Sequence, residues 1–146
     1  MATRKASSRP ADLPLSIRLE PSLRKAVDLQ AKTSGKPVSR VIRELLDMAL
    51  RVQRFPGITF VQGPAGRRAH LAGTGLDVWE VIELLREYGS EKALRKHFPR
   101  LSSLMIRLAR AYADAYPKEI GELIALNARA PGQVKQQMPW AEVVRV

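Results

Sequence analysis

The sequence predicts a mainly helical protein with short β elements, built as two modules. Three observations carry this. The stretch "LSIRLEP", Leu15 to Pro21, alternates apolar and polar residues and then meets a helix-opening proline. Two amphipathic helical segments follow it with no partner strand between them. Past "RFPGI" the pattern changes to a hairpin signal followed by helices. The expected organisation is a disordered basic arm over 1–13, a strand-helix-helix module over 14–53 and a linker over 54–57. A hairpin-and-helices domain over 58–130 and a tail over 131–146 complete it.

In the first module, Leu15, Ile17 and Leu19 fall on one side of an extended segment, and Ser16 and Arg18 on the other. Pro14 starts the strand, where a missing N–H is tolerated. Pro21 suits the first turn of a helix through "PSLRKAVDLQAKTSG", with Leu23, Ala26, Val27, Gln30 and Ala31 near helical spacing. Gly35 stands where a left-handed C-terminal cap belongs. A second helix, "KPVSRVIRELLDMALRV", is expected with Pro37 in its first turn and Ser39 near its cap. Its wide apolar stripe is Val38, Val41, Ile42, Leu45, Leu46, Ala49 and Leu50.

In the second module, Ile58 to Val61 and Arg68 to Leu71 read as strands joined through "QGPAG". "AGTG" is a tight turn. Helices are expected from Asp77 to Tyr88, stopped at Gly89, and from a Ser90 cap through His97. A third runs from a Ser102 or Ser103 cap through Ala115, and a fourth from about Pro117 to Arg129.

Composition narrows the function. Of 146 residues, 45% are hydrophobic, enough for a packed core. The chain has no cysteine, which removes disulfides, thiol catalysis and cysteine-based zinc modules. His70 and His97 stand alone in the sequence and read as surface or packing residues. No nucleophile–base pair, acidic metal cluster or P-loop is visible. Gly63, Gly66, Gly73 and Gly75 fit turns rather than a dinucleotide fingerprint. The chain therefore reads as a non-enzyme with no metal and no cofactor. No apolar run reaches a membrane span and the N-terminus lacks a secretory pattern, so the expected location is cytoplasmic, without a membrane partner.

The formal net charge is +11, which favours a polyanionic partner. The excess is uneven. Residues 1–54 carry 12 Lys and Arg against 5 Asp and Glu, while 55–130 carry 11 against 8 and 131–146 carry 2 against 1. Arg4, Lys5 and Arg9 in the arm either touch phosphates or belong to a plain terminus.

A lone strand leaves backbone N–H and C=O groups unpaired, at about 1–3 kcal/mol for each one buried. Two short helices also have too little interior of their own. Both deficits vanish if two copies pair their strands antiparallel about a two-fold axis and share one core. Ser16 and Arg18 of both chains would then face outward on a two-stranded ribbon, which fits the DNA major groove. Arg can donate two hydrogen bonds to guanine, and Ser can donate or accept. The start of the second helix, with Lys36, the Val38 backbone and Ser39, suits a phosphate.

Residues 14–52 resemble the ribbon-helix-helix repressors, such as Arc, MetJ and the CopG-like regulators. The likeness lies in the alternating strand, the proline-opened helix, the "SGK" turn, and Val38-Ser39 before an apolar helix. It implies a homodimer on double-stranded operator DNA, with Ser16 and Arg18 reading bases and Lys36 to Ser39 clamping the backbone. Pro14 departs from the pattern, because it cannot read a base by side-chain hydrogen bonding.

Residues 58–120 resemble a small domain of unknown function common in bacterial antitoxins, whose usual partners are PIN-like toxins. The likeness rests on Leu71, Gly73-Thr74, Val78, Gly89, Phe98-Pro99, Leu101 and Ala111-Tyr112. It departs at Gly75, where that family usually has Arg. Together the resemblances imply an autoregulatory VapB-type antitoxin that represses transcription. The alternative is a stand-alone repressor or mobile-element regulator whose second domain builds oligomers.

The helices across "FPRLSS" form a helix-turn-helix-like unit. Arg107 and Arg110 are expected on its outer side, with Leu104, Leu108 and Tyr112 packed inward. That surface is either a second DNA contact or a compact module for association. In the tail, Trp140, Val143 and Val144 either dock on a partner or belong to a flexible end.

Overall fold

The computed structural model describes residues 14–63 and 66–129. These form six helices and one three-stranded antiparallel sheet, in the order α1 (Pro21–Ser34), α2 (Val38–Arg54), β1 (Ile58–Gly63), β2 (Gly66–Leu71), β3 (Leu76–Asp77), α3 (Val78–Tyr88), α4 (Glu91–His97), α5 (Ser103–Ala115), α6 (Pro117–Arg129). A mainly helical chain with short β elements is what the sequence predicts. Among the described residues, no helix is long and apolar enough to cross a membrane.

The chain divides into two compact units, Met1–Leu45 and Leu46–Val146, so the last turns of α2 belong to the second. In the first unit, Pro21 lies at the start of α1. Gly35 ends the helix at φ 65°, and its N–H donates to the Ala31 carbonyl. A side chain at that φ would be strained, which is why glycine stands there. Pro37 does not enter α2 as expected. It lies one residue before Val38, and its carbonyl accepts from the N–H groups of Arg40 and Val41. A residue without a donor loses nothing at either position.

The core of this unit is small. Val27, Ala31 and Val41 are buried, with Val38, Ile42 and Leu45 packed against them. The expected stripes were wider. Leu23 is 52% exposed, and Ala26 and Gln30 are exposed as well. Residues 14–20 carry no assigned secondary structure in the single chain. Leu15 is 86% exposed and Ile17 53%, so of the three apolar residues expected to face the helices only Leu19 is partly covered. The described residues of one copy leave Leu15 and Ile17 largely uncovered.

The second unit has a fuller core, centred on Phe55, Ile58, Leu71, Val81, Leu94 and Tyr112. The strands are longer than the sequence suggests, and β1 pairs with β2 from Ile58↔Leu71 to Gly63↔Gly66. The strand β3 was not foreseen. It pairs His70↔Asp77 and Leu71↔Leu76 after a turn in which Gly73 and Gly75 take φ of 78° and 74°. Thr74 braces this turn by donating its hydroxyl to the Leu71 carbonyl at 2.8 Å.

Helix punctuation in this unit follows the sequence closely. Gly89 closes α3 in the left-handed region. The Ser90 hydroxyl accepts from Ala93 N–H at 3.1 Å, and the Ser102 hydroxyl from Met105 N–H at 3.2 Å. The packing face of α5 differs from expectation. Ile106, Ala109 and Tyr112 are buried while Leu104 is 68% exposed.

Candidate nucleic-acid interface

The residues singled out for base reading lie in the first unit, on the segment leading into α1. Pro14, Ser16 and Arg18 are all exposed. Ser16 and Arg18 line a recess of about 350 Å³ with Ile17, Leu19, Arg24 and Ile42. Arg24 was not anticipated. Its guanidinium is held 3.0 Å from Asp28 one turn along α1, an exposed pair that fixes orientation more than it adds stability. Nothing in the one-dimensional pattern marks Arg24, because its place beside Arg18 depends on how the chain enters the helix.

The expected phosphate clamp lies at the start of α2 and outside that recess. Lys36 is half-buried, with Nζ 2.8 Å from Glu44 Oε2. Arg40 reaches the other oxygen of the same carboxylate at 3.1 Å. These two cations, Lys36 first, hold the Glu44 carboxyl below its ordinary range. Lys36 is thus oriented at the helix start but partly neutralised. Val38 is half-buried and Ser39 exposed, with its carbonyl accepting from Arg43 Nε at 3.3 Å. The first N–H groups of a helix have no intrahelical acceptor, so this end offers donors and a positive dipole to an anion. Arg4, Lys5, Arg9, Trp140, Val143 and Val144 lie outside the described residues.

In the second unit, Arg107 and Arg110 are exposed on α5 as expected. His70 is not isolated. The register that pairs it with Asp77 brings Nδ1 to 2.9 Å of Asp77 Oδ1. Two residues back on the same strand face, Arg68 Nε lies 2.6 Å from the other oxygen, and Trp79 Nε1 donates to that oxygen at 3.1 Å. Asp77 is 5% exposed and precedes α3, and Glu80 reaches back to accept from its N–H at 2.7 Å. The cluster joins sheet to helix. His97 instead stacks at 4.8 Å on Tyr88. Among the described residues, no group of three His, Asp or Glu could hold a metal.

Residues 58–113 match the model of a family described as a protein of unknown function, DUF433. The match covers the sheet, α3, α4 and most of α5. No curated protein and no solved structure matches the chain.

Proposed function

We propose that the protein is a sequence-specific DNA-binding repressor that acts as a homodimer. Two copies pair residues 14–20 into an antiparallel ribbon of the ribbon-helix-helix kind and present Ser16 and Arg18 to a major groove. The observation that carries this reading is the exposure of Leu15 and Ile17, 86% and 53%, beside a first unit whose described residues bury three apolar side chains. So small a core is too weak to hold two helices, and an exposed apolar row at its open side calls for a second copy. The basic balance of residues 1–54 supplies the sequence-independent attraction to phosphates. Lys36, the Val38 backbone and Ser39 hold the phosphate chain at the helix start.

Within this reading the chain is the autoregulatory antitoxin of a toxin–antitoxin pair. Its second unit and tail would engage a PIN-like toxin, as the resemblance of residues 58–120 implies. A toxin reading frame beside the gene supports that extension, and a stand-alone gene reduces the protein to a repressor.

The experiment is selection of sites from a random duplex library by the full chain. Arg18→Ala is expected to cost about 1–3 kcal/mol on the selected site and to relax preference at one position of each half-site. An unchanged selected sequence would remove Ser16 and Arg18 as readers.

A further inference from the structure

The positive charge of residues 55–130 is concentrated in one place. Residues 55–90 carry 3 Lys and Arg against 4 Asp and Glu, and 115–130 carry 2 against 2. Residues 91–114, which span α4, the turn and α5, carry 6 against 2. The whole basic excess of the region thus lies on one helix-turn-helix. Lys92, Lys96, Arg100, Arg107 and Arg110 on it are exposed, and none has an acidic partner among the described residues. Elsewhere several acids face cations, as in Lys36–Glu44, Arg51–Glu119 and Arg68–Asp77.

The frame that carries these cations is anchored in the core. Leu94, Leu101 and Ile106, one from each part of the motif, are buried to 1% or less. Arg95 spans the turn, donating from Nε to the Leu101 carbonyl at 3.2 Å and from Nη1 to the Ser103 hydroxyl at 3.1 Å. A second observation concerns the outer side of α5. Leu104 is 68% exposed in the first turn, and Arg107 and Ala111 follow it at helical spacing, both exposed. The outward stripe is therefore one apolar side chain, one small one and flanking arginines. Such a stripe suits a groove floor with thymine methyls between two phosphate rails.

We infer that α4, the turn and α5 form a second double-stranded DNA surface, so that each chain grips DNA at two separate places. This rests on the proposed DNA-binding function but uses none of its residues. Arg107 and Arg110, less than one turn apart, face the same side of α5, and Arg100 precedes that helix. With Lys92 and Lys96 on α4 they take phosphates, while Leu104 and Ala111 approach the groove.

The test uses the full chain with Arg100→Gln, Arg107→Gln and Arg110→Gln combined, against a matching Arg→Lys triple and Arg18→Ala. The readout is the slope of log affinity against log salt on the selected duplex and on a random-sequence duplex. Each lost phosphate contact lowers the slope by about 0.9. The Gln triple is expected to lower it by about 2.7 per chain and the Lys triple to restore it, with the sequence preference retained. Arg18→Ala is expected to change the preference with a slope change of about 1 at most. A Gln triple with an unaltered slope overturns the inference, including when it loses an acidic protein partner instead. A chain that binds no duplex overturns both proposals. A lowered slope with an Arg18→Ala variant of unchanged preference keeps this surface and removes the ribbon reading.

Discussion

Arg51, near the end of α2, holds Glu119 of α6 across 68 residues of sequence, with Nη1 2.5 Å from Oε2. The same nitrogen donates to the Tyr112 hydroxyl at 2.8 Å, and that hydroxyl donates to Glu119 Oε1 at 2.9 Å. The guanidinium also lies 3.8 Å over the Tyr116 ring and pairs with Asp47 at 2.9 Å. Burial alone would lower the Arg51 pKa, but Glu119 and Tyr112 outweigh it and raise it, so the charge is permanent. Removing one member strands the others in a partly buried site. Arg51→Ala is expected to destabilise the chain by roughly 2–3 kcal/mol in urea unfolding. A double-mutant cycle with Glu119→Gln should show coupling of about 1 kcal/mol or more. Additive effects would mean that the network does not act as a unit.

Tyr112 supplies a pH signature. Burial, ahead of its other interactions, pushes its phenol above the ordinary range. The folded state therefore keeps the proton longer than the unfolded state does. That contribution is complete below the unfolded value of 10.0 and is lost as pH rises through the higher folded value. Stability should fall from about pH 10 upward, and Tyr112→Phe should flatten this part of the curve. Parallel curves for the two proteins above that pH would contradict the assignment.

Glu44 sits between Lys36 and Arg40 and draws charge away from the proposed phosphate clamp. Its lowered pKa means that the carboxylate helps the fold above the usual glutamate range, and that this help fades as pH falls through the lowered value. Glu44→Gln should strengthen DNA binding a few-fold at low salt and lose that gain at high salt, because Lys36 then faces the phosphates alone. Titration of binding at two ionic strengths checks this. Weaker binding at low salt would place Lys36 outside the contact.

Asp77→Asn should be among the most disruptive single changes in the second unit. The carboxylate serves Arg68, His70 and Trp79 together at a site 5% exposed. Loss of its charge leaves a partly buried guanidinium short of its counter-ion, at an expected cost of about 2–4 kcal/mol. Thermal melts of the variant and of His70→Gln separate the terms, since the second removes only one partner and should cost less.

The helices were legible because short-range chemistry marks their ends. Pro21, Gly35, Gly89, Ser90 and Ser102 each do the job that their residue type suggests. The hairpin was legible from its apolar runs and its glycines. Two residues were too few for periodicity to reveal β3. On α5, apolar character points Leu104 inward, whereas the small Ala109 packs the core and Leu104 faces out. The Arg51–Tyr112–Glu119 network and the Asp77 cluster depend on residues brought together by tertiary packing and strand register. The first core is narrower than the apolar stripes of α1 and α2, because an apolar stripe shows that a surface must be covered without showing by what.

The central claim is that residues 14–20 of two copies pair with each other. The chain has no cysteine, so single cysteines placed in turn at positions 15 to 19 are clean reporters. Disulfide-linked dimers are expected to peak sharply at one position, the two-fold centre, and to fall off symmetrically on either side. Bound operator DNA should protect that dimer. Uniformly absent cross-links, together with a folded monomer by equilibrium sedimentation at concentrations where the chain binds DNA, would contradict the claim.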